Sequence, residues 1–113
     1  MIRSKYYYRL KYKYRKYILK TMKLAQPTDF EILEELADGK RNVASNLAHH
    51  LDKDRAYLNT RFPILHDYGL VKRIGPAPSS GLYEITSKGQ TALQNREQYN
   101  NPEKDYESIL QSQ

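Results

Sequence analysis

Residues 42–85 read NVASNLAHHLDKDRAYLNTRFPILHDYGLVKRIGPAPSSGLYEI, and the pattern of this stretch decides the fold. Asn42 is an N-cap candidate ahead of apolar residues at helical spacing, which are Val43, Ala44, Leu47, Ala48 and Leu51. After a break at residues 52–53, Asp54 is a second N-cap candidate. The helix that it opens has apolar residues on one face, where they can pack on the preceding helix: Leu58, Phe62 and Leu65.

Glycines and an alternating pattern follow this second helix. Gly69 is a C-cap candidate, because glycine adopts the left-handed conformation at a helix end without strain. Residues 70–74 alternate as a strand does, and residues 82–85 form a returning strand after the Gly- and Pro-rich loop 75–81. This order predicts a mainly α protein with a small β-hairpin, an α+β fold of the winged helix-turn-helix kind.

The face of the second helix that points away from the predicted core is small, polar and cationic. It carries Ala56, Tyr57, Asn59, Thr60 and Pro63, flanked by Arg55 and Arg61. Base edges in the major groove offer hydrogen-bond donors and acceptors, and the DNA backbone offers negative charge. Arg55 and Arg61 are therefore candidates for phosphate or guanine contact, and Asn59 can form two hydrogen bonds with adenine. Thr60 and Tyr57 are candidates for contact with phosphate or a thymine methyl group.

The predicted hairpin supplies a second set of candidate contacts. Lys72 and Arg73 lie on its first strand, where they can clamp flanking phosphates or the minor groove. Ser79 and Ser80 offer hydroxyl groups at the loop tip. In a different interpretation, Lys72 and Arg73 are solvated charges at a strand edge that discourage aggregation between sheets.

Several segments resemble a known protein family: residues 28–34 (TDFEILE), 55–65 (RAYLNTRFPIL), 67–71 (DYGLV), 74–78 (IGPAP), 81–86 (GLYEIT) and 88–89 (KG). Over roughly residues 28–95, the chain resembles the small winged-helix regulators of haloarchaea that are related to the repressor of halophage phi-H. Their wider superfamily includes the MarR and ArsR types. The most specific match is the GPAP loop followed by GLYEIT. The resemblance implies a DNA-binding fold, and it does not identify an operator, a regulated gene or an effector.

The chain after the hairpin predicts one more helix and a polar tail. Thr86 starts the helix, which we expect to run through about Tyr99. The resemblance implies that this terminal helix helps to form a homodimer, which would bind an inverted repeat with half-sites about one helical turn apart. Two structures are open for the polar tail 100–113. Either it is disordered, or a short helix from Pro102 docks its apolar residues on a partner subunit: Tyr106, Ile109 and Leu110.

The length and the distribution of charge limit the function. The 113 residues suffice for one domain with tails, and we place this domain at residues 24–99. The net charge of +6 comes from residues 1–23, which hold nine basic and no acidic residues. Residues 24–113 hold ten basic and thirteen acidic residues, a net charge of −3. The DNA affinity of the folded part must therefore come from a local basic face rather than from bulk charge.

The N-terminal arm, residues 1–23, interleaves its basic residues with six of the eleven tyrosines. Such a segment can follow a phosphate backbone or an anionic membrane surface, or it can be a solvated arm. Met22 stands just ahead of the family-like domain. A further interpretation is that translation starts at Met22 and that residues 1–21 do not belong to the native protein. The intact mass of protein from its native host tests this last interpretation, and a mass that includes residues 1–21 would contradict it.

The first helix is interpreted as scaffold. Thr28 and Glu31 have the spacing of a capping box, and this first helix would end at Asp38-Gly39. The basic pair Lys40-Arg41 then lies in the linker, where it meets backbone phosphate in one interpretation and is simply solvated in another.

The sequence has no pattern typical of catalysis or metal binding. It contains no cysteine, and the consecutive His49 and His50 diverge on a helix and cannot chelate one ion together. It also lacks a phosphate loop, a nucleophile elbow and any run of about 20 apolar residues that would span a bilayer. We therefore expect a cytoplasmic, non-enzymatic regulator that binds double-stranded DNA, acts as a repressor, and uses no cofactor or metal, with no small-molecule ligand identifiable.

Two rival functions stay open. The first is a winged-helix module that binds protein, which is favoured by the acidic balance of residues 24–113. The second is a nucleic-acid tether that acts through the basic residues 1–23, with the folded domain as a passenger.

Overall fold

The computed structural model describes residues 22–37, 41–77 and 81–111. The helices of this part are α1 (Thr28–Leu36), α2 (Ala44–Leu51), α3 (Arg55–Asp67), α4 (Ser87–Gln94) and α5 (Tyr106–Gln111). Strand β1 (Val71–Arg73) and strand β2 (Tyr83–Ile85) form a two-stranded antiparallel sheet, and a 3₁₀ turn spans Arg96–Gln98. The prediction of a mainly helical α+β fold with a small hairpin is confirmed. No helix in the described part is long and apolar enough to cross a membrane.

Helix α3 lies against the centre of the core. Its predicted inward residues, Leu58, Phe62 and Leu65, are at most 1% exposed. They pack with other fully buried side chains of the core, which include Ile32, Leu33, Leu36, Leu47, Leu70 and Val71. The four-and-three spacing of the α3 residues therefore predicts its buried face correctly, because it places all three on one side of the helix.

The helix starts follow the predicted capping in part. Asp54 caps α3 as expected, since its Oδ2 accepts a hydrogen bond from the Tyr57 N–H at 3.3 Å. The N-cap of α2 is Val43 rather than Asn42, because the Asn42 backbone pairs with that of Tyr83 instead. The Asn42 side chain still accepts hydrogen bonds, from the Val43 N–H and the Asn46 amide.

The capping box predicted for α1 is wrong. Thr28 is the first helical residue, Pro27 is the N-cap, and no side chain caps the helix. The carboxylate of Asp29 accepts from the Ala25 N–H at 2.7 Å, while Thr28 is buried at 5% exposure. The predicted stop at Asp38-Gly39 lies outside the described residues.

The hairpin is joined to α3 by a tight helix end. Gly69 has a φ of +80°, the Gly69 N–H donates to the His66 carbonyl at 2.9 Å, and the Leu70 N–H donates to the Leu65 carbonyl at 3.0 Å. These two bonds satisfy carbonyls at the end of α3. The C-cap of α3 is Tyr68 rather than Gly69, and Gly69 follows it in the expected left-handed conformation. The strand register pairs Val71 with Ile85, Lys72 with Glu84 and Arg73 with Tyr83.

Helix α4 approaches the backbone of the hairpin closely. Thr86 is its N-cap, as expected, and the Thr86 Oγ1 accepts from the Gly89 N–H at 3.0 Å. A Cβ atom built on Gly89 would lie 2.1 Å from the Leu70 carbonyl oxygen, so only glycine fits at this contact. Helix α4 ends at Gln94, which is earlier than the predicted end near Tyr99.

The C-terminal segment packs on its own domain. Helix α5 buries Tyr106 and Leu110 at 6% and 3% exposure, and the Tyr106 hydroxyl donates to the Ala92 carbonyl. Of the two structures predicted for the tail, disorder is wrong for Tyr106–Gln111. The predicted short helix is present, but it buries Tyr106 and Leu110 against its own chain rather than a partner subunit, and Ile109 is half-buried.

Residues 22–24 also belong to the folded body. Met22 and Leu24 are buried, and the Tyr99 hydroxyl donates to the Met22 carbonyl at 3.0 Å and accepts from the Leu24 N–H at 2.7 Å. The ring of Tyr99 in turn contacts Phe30 and Tyr106 edge-on. The folded body therefore includes Met22 and Lys23, which the sequence placed in the arm; the predictions for residues 1–21 lie outside the described residues.

Candidate nucleic-acid interface

The outward face of α3 is open to solvent over its first two turns. Its exposed side chains are Arg55, Ala56, Tyr57, Asn59, Thr60 and Pro63. Tyr57, at 41% exposure, is the only large hydrophobic residue among residues 22–37, 41–77 and 81–111 that is classed as exposed. The packing of the opposite face into the core fixes this outward orientation, because the two faces belong to one rigid helix.

The turn before α3 is short and well defined. Asp52 ends α2 in the left-handed conformation with a φ of 56°, and the Lys53 N–H donates to the Ala48 carbonyl at 2.9 Å. Asp54 then starts α3 as its N-cap. The ammonium of Lys53 lies 3.3 Å from a carboxylate oxygen of Glu31, which connects the turn to α1. The start of α3 is therefore held by its own cap and by contacts with both preceding helices.

The expectation that Arg61 projects towards DNA is wrong. Its Nε donates to Asp29 Oδ1 at 2.9 Å and its Nη2 donates to Asp29 Oδ2 at 2.7 Å. The side chain of Arg61 is 14% exposed and that of Asp29 is 0% exposed. The hydrogen bonds with Asp29 raise the pKa of Arg61 above its ordinary value. Arg61 therefore joins α3 to α1 and positions the helix, and its guanidinium is not available to a base or a phosphate.

The remaining polar groups on the outward face differ in availability. Arg55 and Asn59 are exposed, and their side chains have no hydrogen bond or ion pair with any residue that the structure describes. The Thr60 hydroxyl donates to the Tyr57 carbonyl at 2.6 Å, so its proton is used within the helix. Arg55 and Asn59 are therefore the side chains of α3 best prepared to bind an external partner.

The far end of α3 has a different charge. Asp67 is exposed, and its carboxylate lies 4.0 Å from the His66 ring. A carboxylate at this end would repel a phosphate backbone. The N-terminal end also has a carboxylate, the Asp54 cap, but it carries Arg55 and the positive end of the helix dipole as well. The N-terminal half of α3 is therefore the half that suits an anionic partner.

Two cations share a single carboxylate on the hairpin, and a third lies over a neighbouring ring. Lys72 Nζ lies 3.7 Å from Glu84 Oε1, and Arg41 Nε lies 3.8 Å from Glu84 Oε2. The Arg73 guanidinium lies 5.8 Å from the centre of the Tyr83 ring. The sequence placed Lys72 and Arg73 here, but it left Arg41 in the linker. Arg41 reaches the sheet because the neighbouring Asn42 pairs with Tyr83, which the local sequence does not reveal.

An aromatic stack connects the hairpin to α3. The rings of Phe62 and Tyr83 are nearly parallel, at 18°, and their centres are 4.4 Å apart. The Arg73 guanidinium lies near the Tyr83 ring. Phe62 of α3, Tyr83 of β2 and Arg73 of β1 are therefore neighbours in one row of side chains. Because Phe62 is buried in the core, the stack sets the position of the hairpin relative to α3.

Charge is distributed unevenly over the described surface. The outward part of α3, its preceding turn and the hairpin carry four cations, which are Lys53, Arg55, Lys72 and Arg73, and Arg41 lies beside the hairpin. The same segments carry four carboxylates, which are Asp52, Asp54, Glu84 and, at the far end of α3, Asp67. A local excess of positive charge therefore exists in a body whose net charge is negative, as the charge argument requires.

Other candidate sites are less developed. Ser79 and Ser80 lie outside the described residues, so their predicted contact stays a prediction. A partly open pocket of about 310 Å³ lies between α1 and the 3₁₀ turn, and Phe30, Glu34, Arg96 and Glu97 are among its lining residues. Among residues 22–37, 41–77 and 81–111, no group of three or more potential ligands could hold a metal ion.

Comparison with known proteins leaves the site to be interpreted from its own geometry. No family model matches the chain, and no curated protein or solved structure matches it significantly. The resemblance to the haloarchaeal regulators therefore stays a prediction that depends on the motifs of residues 28–95. The class that the structure defines is a small α+β protein with a tight turn between two helices and an antiparallel hairpin after the second.

Proposed function

We propose that this protein is a sequence-specific double-stranded DNA-binding transcription regulator of the winged helix-turn-helix type. In this proposal α3 enters the major groove with its N-terminal half, and the hairpin is the wing. The observation that carries it is the division of α3 into two faces: Leu58, Phe62 and Leu65 are at most 1% exposed, whereas Arg55 and Asn59 are exposed without partners in the described part. These two side chain types match the hydrogen-bonding groups of guanine and adenine.

The hairpin supports the proposal through its cations. Arg41 and Lys72 share the carboxylate of Glu84 at 3.8 and 3.7 Å, distances at which exposed ion pairs are weak. Both cations can exchange this partner for phosphate at little cost. Phosphate contacts of this kind set the register of a protein on DNA, and the bases that α3 reads provide the specificity.

We also propose a biological role. A protein that occupies a promoter blocks access to it, so we propose repression by occupancy in the cytoplasm and no enzymatic activity. We further propose a homodimer on an inverted repeat, with half-sites about one helical turn apart. The dimer rests on the resemblance of residues 28–95, since α5 covers apolar residues of its own domain.

Selection of bound sequences from random duplexes tests this function with the full chain. We expect an enriched motif with inverted symmetry. Arg55→Ala and Asn59→Ala should each weaken binding to the enriched duplex by roughly 1–3 kcal/mol. Arg96→Ala is the matched control, because Arg96 is an exposed arginine paired with Glu34 at 3.8 Å, away from the proposed interface.

The same experiment separates the rival functions. If Arg55→Ala and Asn59→Ala both bind the enriched duplex normally, the major-groove assignment is refuted. If deletion of residues 1–21 abolishes binding and no motif is enriched with the full chain, the tether through the basic arm is favoured. If the full chain retains no duplex at all, a module that binds protein is favoured, in line with the net charge of −3 for residues 24–113.

A further inference from the structure

The loss of Arg61 to the Asp29 salt bridge changes which bases α3 is suited to read. Arginine and lysine are the usual partners of guanine, whose O6 and N7 are both acceptors. With Arg61 14% exposed and bound to Asp29, Arg55 is the one unpaired cation on the outward face of α3 in the described part. Arg55 lies at the first residue of the helix, so the turns that follow it have no cation to offer to guanine.

The groups that those turns do offer have a different chemistry. Asn59 presents an amide without a partner among the described residues, and an amide matches the N6 donor and N7 acceptor of adenine. Tyr57 is 41% exposed and Ala56 is exposed beside it, so both present carbon atoms to solvent. The Thr60 hydroxyl donates to the Tyr57 carbonyl, with 2.6 Å between the two oxygen atoms. The Thr60 methyl group is then the part of this side chain that is available for apolar contact.

We propose that α3 reads A·T base pairs: Asn59 forms two hydrogen bonds with one adenine, and Tyr57 and Ala56 pack against the C5-methyl groups of neighbouring thymines. This assignment rests on the proposed function and adds the base class to it. The thymine methyl is the one apolar group that a base pair of unmodified DNA exposes in the major groove, so exposed carbon on a recognition helix has a single natural counterpart there. Tyr57 is accordingly the main specificity-determining residue, and Asn59 selects the adenine.

Two random duplex libraries that differ only in the thymine methyl group test the assignment. One library contains thymine and the other contains uracil, each with a random core of about 20 base pairs, or roughly two helical turns. With the full chain we expect A·T pairs to be enriched in the thymine library and this enrichment to weaken in the uracil library. The most enriched duplex should bind about fourfold more weakly for each contacted methyl group that is removed.

Two variants connect this effect to named side chains. Tyr57→Ser should bind the thymine and uracil forms of the enriched duplex with nearly equal affinity, because the ring that contacts the methyl groups is gone. Asn59→Ala should keep the preference for thymine over uracil and lose the penalty for replacing adenine by 7-deazaadenine, which lacks the N7 acceptor. Arg96→Ala should behave as the unchanged chain in every comparison, since Arg96 is exposed and paired with Glu34.

The outcomes separate this assignment from the function on which it rests. Enrichment of G·C pairs, or a full preference for thymine in Tyr57→Ser, overturns the reading of A·T pairs while DNA binding by α3 stands. Retention of no duplex from either library overturns both. Loss of the thymine preference in Tyr57→Ser together with loss of the 7-deazaadenine penalty in Asn59→Ala supports the assignment in full.

Discussion

Arg61 and Asp29, which are 32 residues apart in the chain, form a two-point salt bridge with distances of 2.9 and 2.7 Å. Asp29 is completely buried and also accepts a hydrogen bond from the Ala25 N–H, so all of its bonds are to the protein interior. The bridge fixes α3 against α1 at the point where α3 leaves its proposed contact turns. The orientation of the exposed face therefore depends on a residue of the first helix.

Breaking this salt bridge should destabilise the fold strongly. Arg61→Ala leaves the Asp29 carboxylate buried without its cation, and we expect a loss of about 3–5 kcal/mol in the free energy of unfolding, measured by urea denaturation. Replacing both partners by apolar residues of similar volume, Asp29→Leu with Arg61→Met, should recover most of this loss. Arg96→Ala, which breaks an exposed ion pair, should change stability by less than about 1 kcal/mol. A stability of Arg61→Ala equal to that of the unchanged chain would contradict the assigned role.

The contact between α4 and the hairpin predicts a large effect of one methyl group. Gly89→Ala would place its Cβ 2.1 Å from the Leu70 carbonyl oxygen, so the backbone must move apart. We expect a destabilisation of about 1–3 kcal/mol, although alanine is intrinsically the better helix former by about 1 kcal/mol. Gly81→Ala is the matched control, because no atom lies within 4 Å of its added Cβ. Equal thermal midpoints of the two variants would show that the close approach is absent.

Burial of Tyr106 predicts a loss of stability in alkali. Desolvation raises the pKa of Tyr106 well above its ordinary value of 10.0, so the folded state favours the neutral phenol. Stability is then fully present below pH 10.0, where the phenol is neutral in both states, and falls as the pH rises towards the folded pKa. Urea midpoints measured between about pH 8 and pH 11 should show this fall.

The variant Tyr106→Phe isolates this effect. It should lower stability by about 1 kcal/mol near neutral pH, because the hydrogen bond to the Ala92 carbonyl is lost. Its stability should also fall less steeply in alkali than that of the unchanged chain. A slope identical in both proteins would mean that other groups cause the alkaline loss.

The carboxylate between the hairpin cations predicts a gain of affinity. Glu84→Gln removes the charge that Arg41 and Lys72 share and that would repel phosphate. We expect binding to a duplex of random sequence, measured by fluorescence anisotropy at low salt, to strengthen by about threefold, the effect of one charge at a distance near 6 Å in water. Glu34→Gln removes a charge paired with Arg96 and serves as the control. Weaker binding by Glu84→Gln would rule out the phosphate role of this cluster.

Local patterns predicted the parts of the fold that depend on neighbours in sequence. The buried face of α3, its cap at Asp54 and the left-handed glycine after its end are confirmed, because each is decided within a few residues. The outward position of Asn59 and Tyr57 follows from the same helical spacing.

Contacts between distant segments escaped prediction for a physical reason. Arg61 lies three residues after Leu58 and four before Leu65, so helical spacing puts it beside the buried face of α3. The sequence does not reveal which carboxylate on another helix it meets there. The role of Asp29 as the partner of Arg61 was not predicted, because Thr28 and Glu31 match a capping box and drew the interpretation of this turn. The burial of Thr28 overrides that local preference. Tyr106 and Leu110 were expected to be apolar contacts of the tail, but the sequence did not show that Tyr106 packs on the Tyr99 ring and bonds to the Ala92 carbonyl of its own chain.

The Tyr99 hydroxyl holds the backbone of Met22 and Leu24, while its ring touches Tyr106 on the last helix. Tyr99 thus links residues 22–24 to the last helix, and we expect neither segment to unfold without the other. Amide protons of residues 22–24 and of α5 should exchange with solvent at similar rates, because both segments become exposed in one cooperative unfolding step. Deletion of the chain through Leu24 would remove the hydrogen-bond partners of the Tyr99 hydroxyl and so weaken the packing of α5 on the Tyr99 ring.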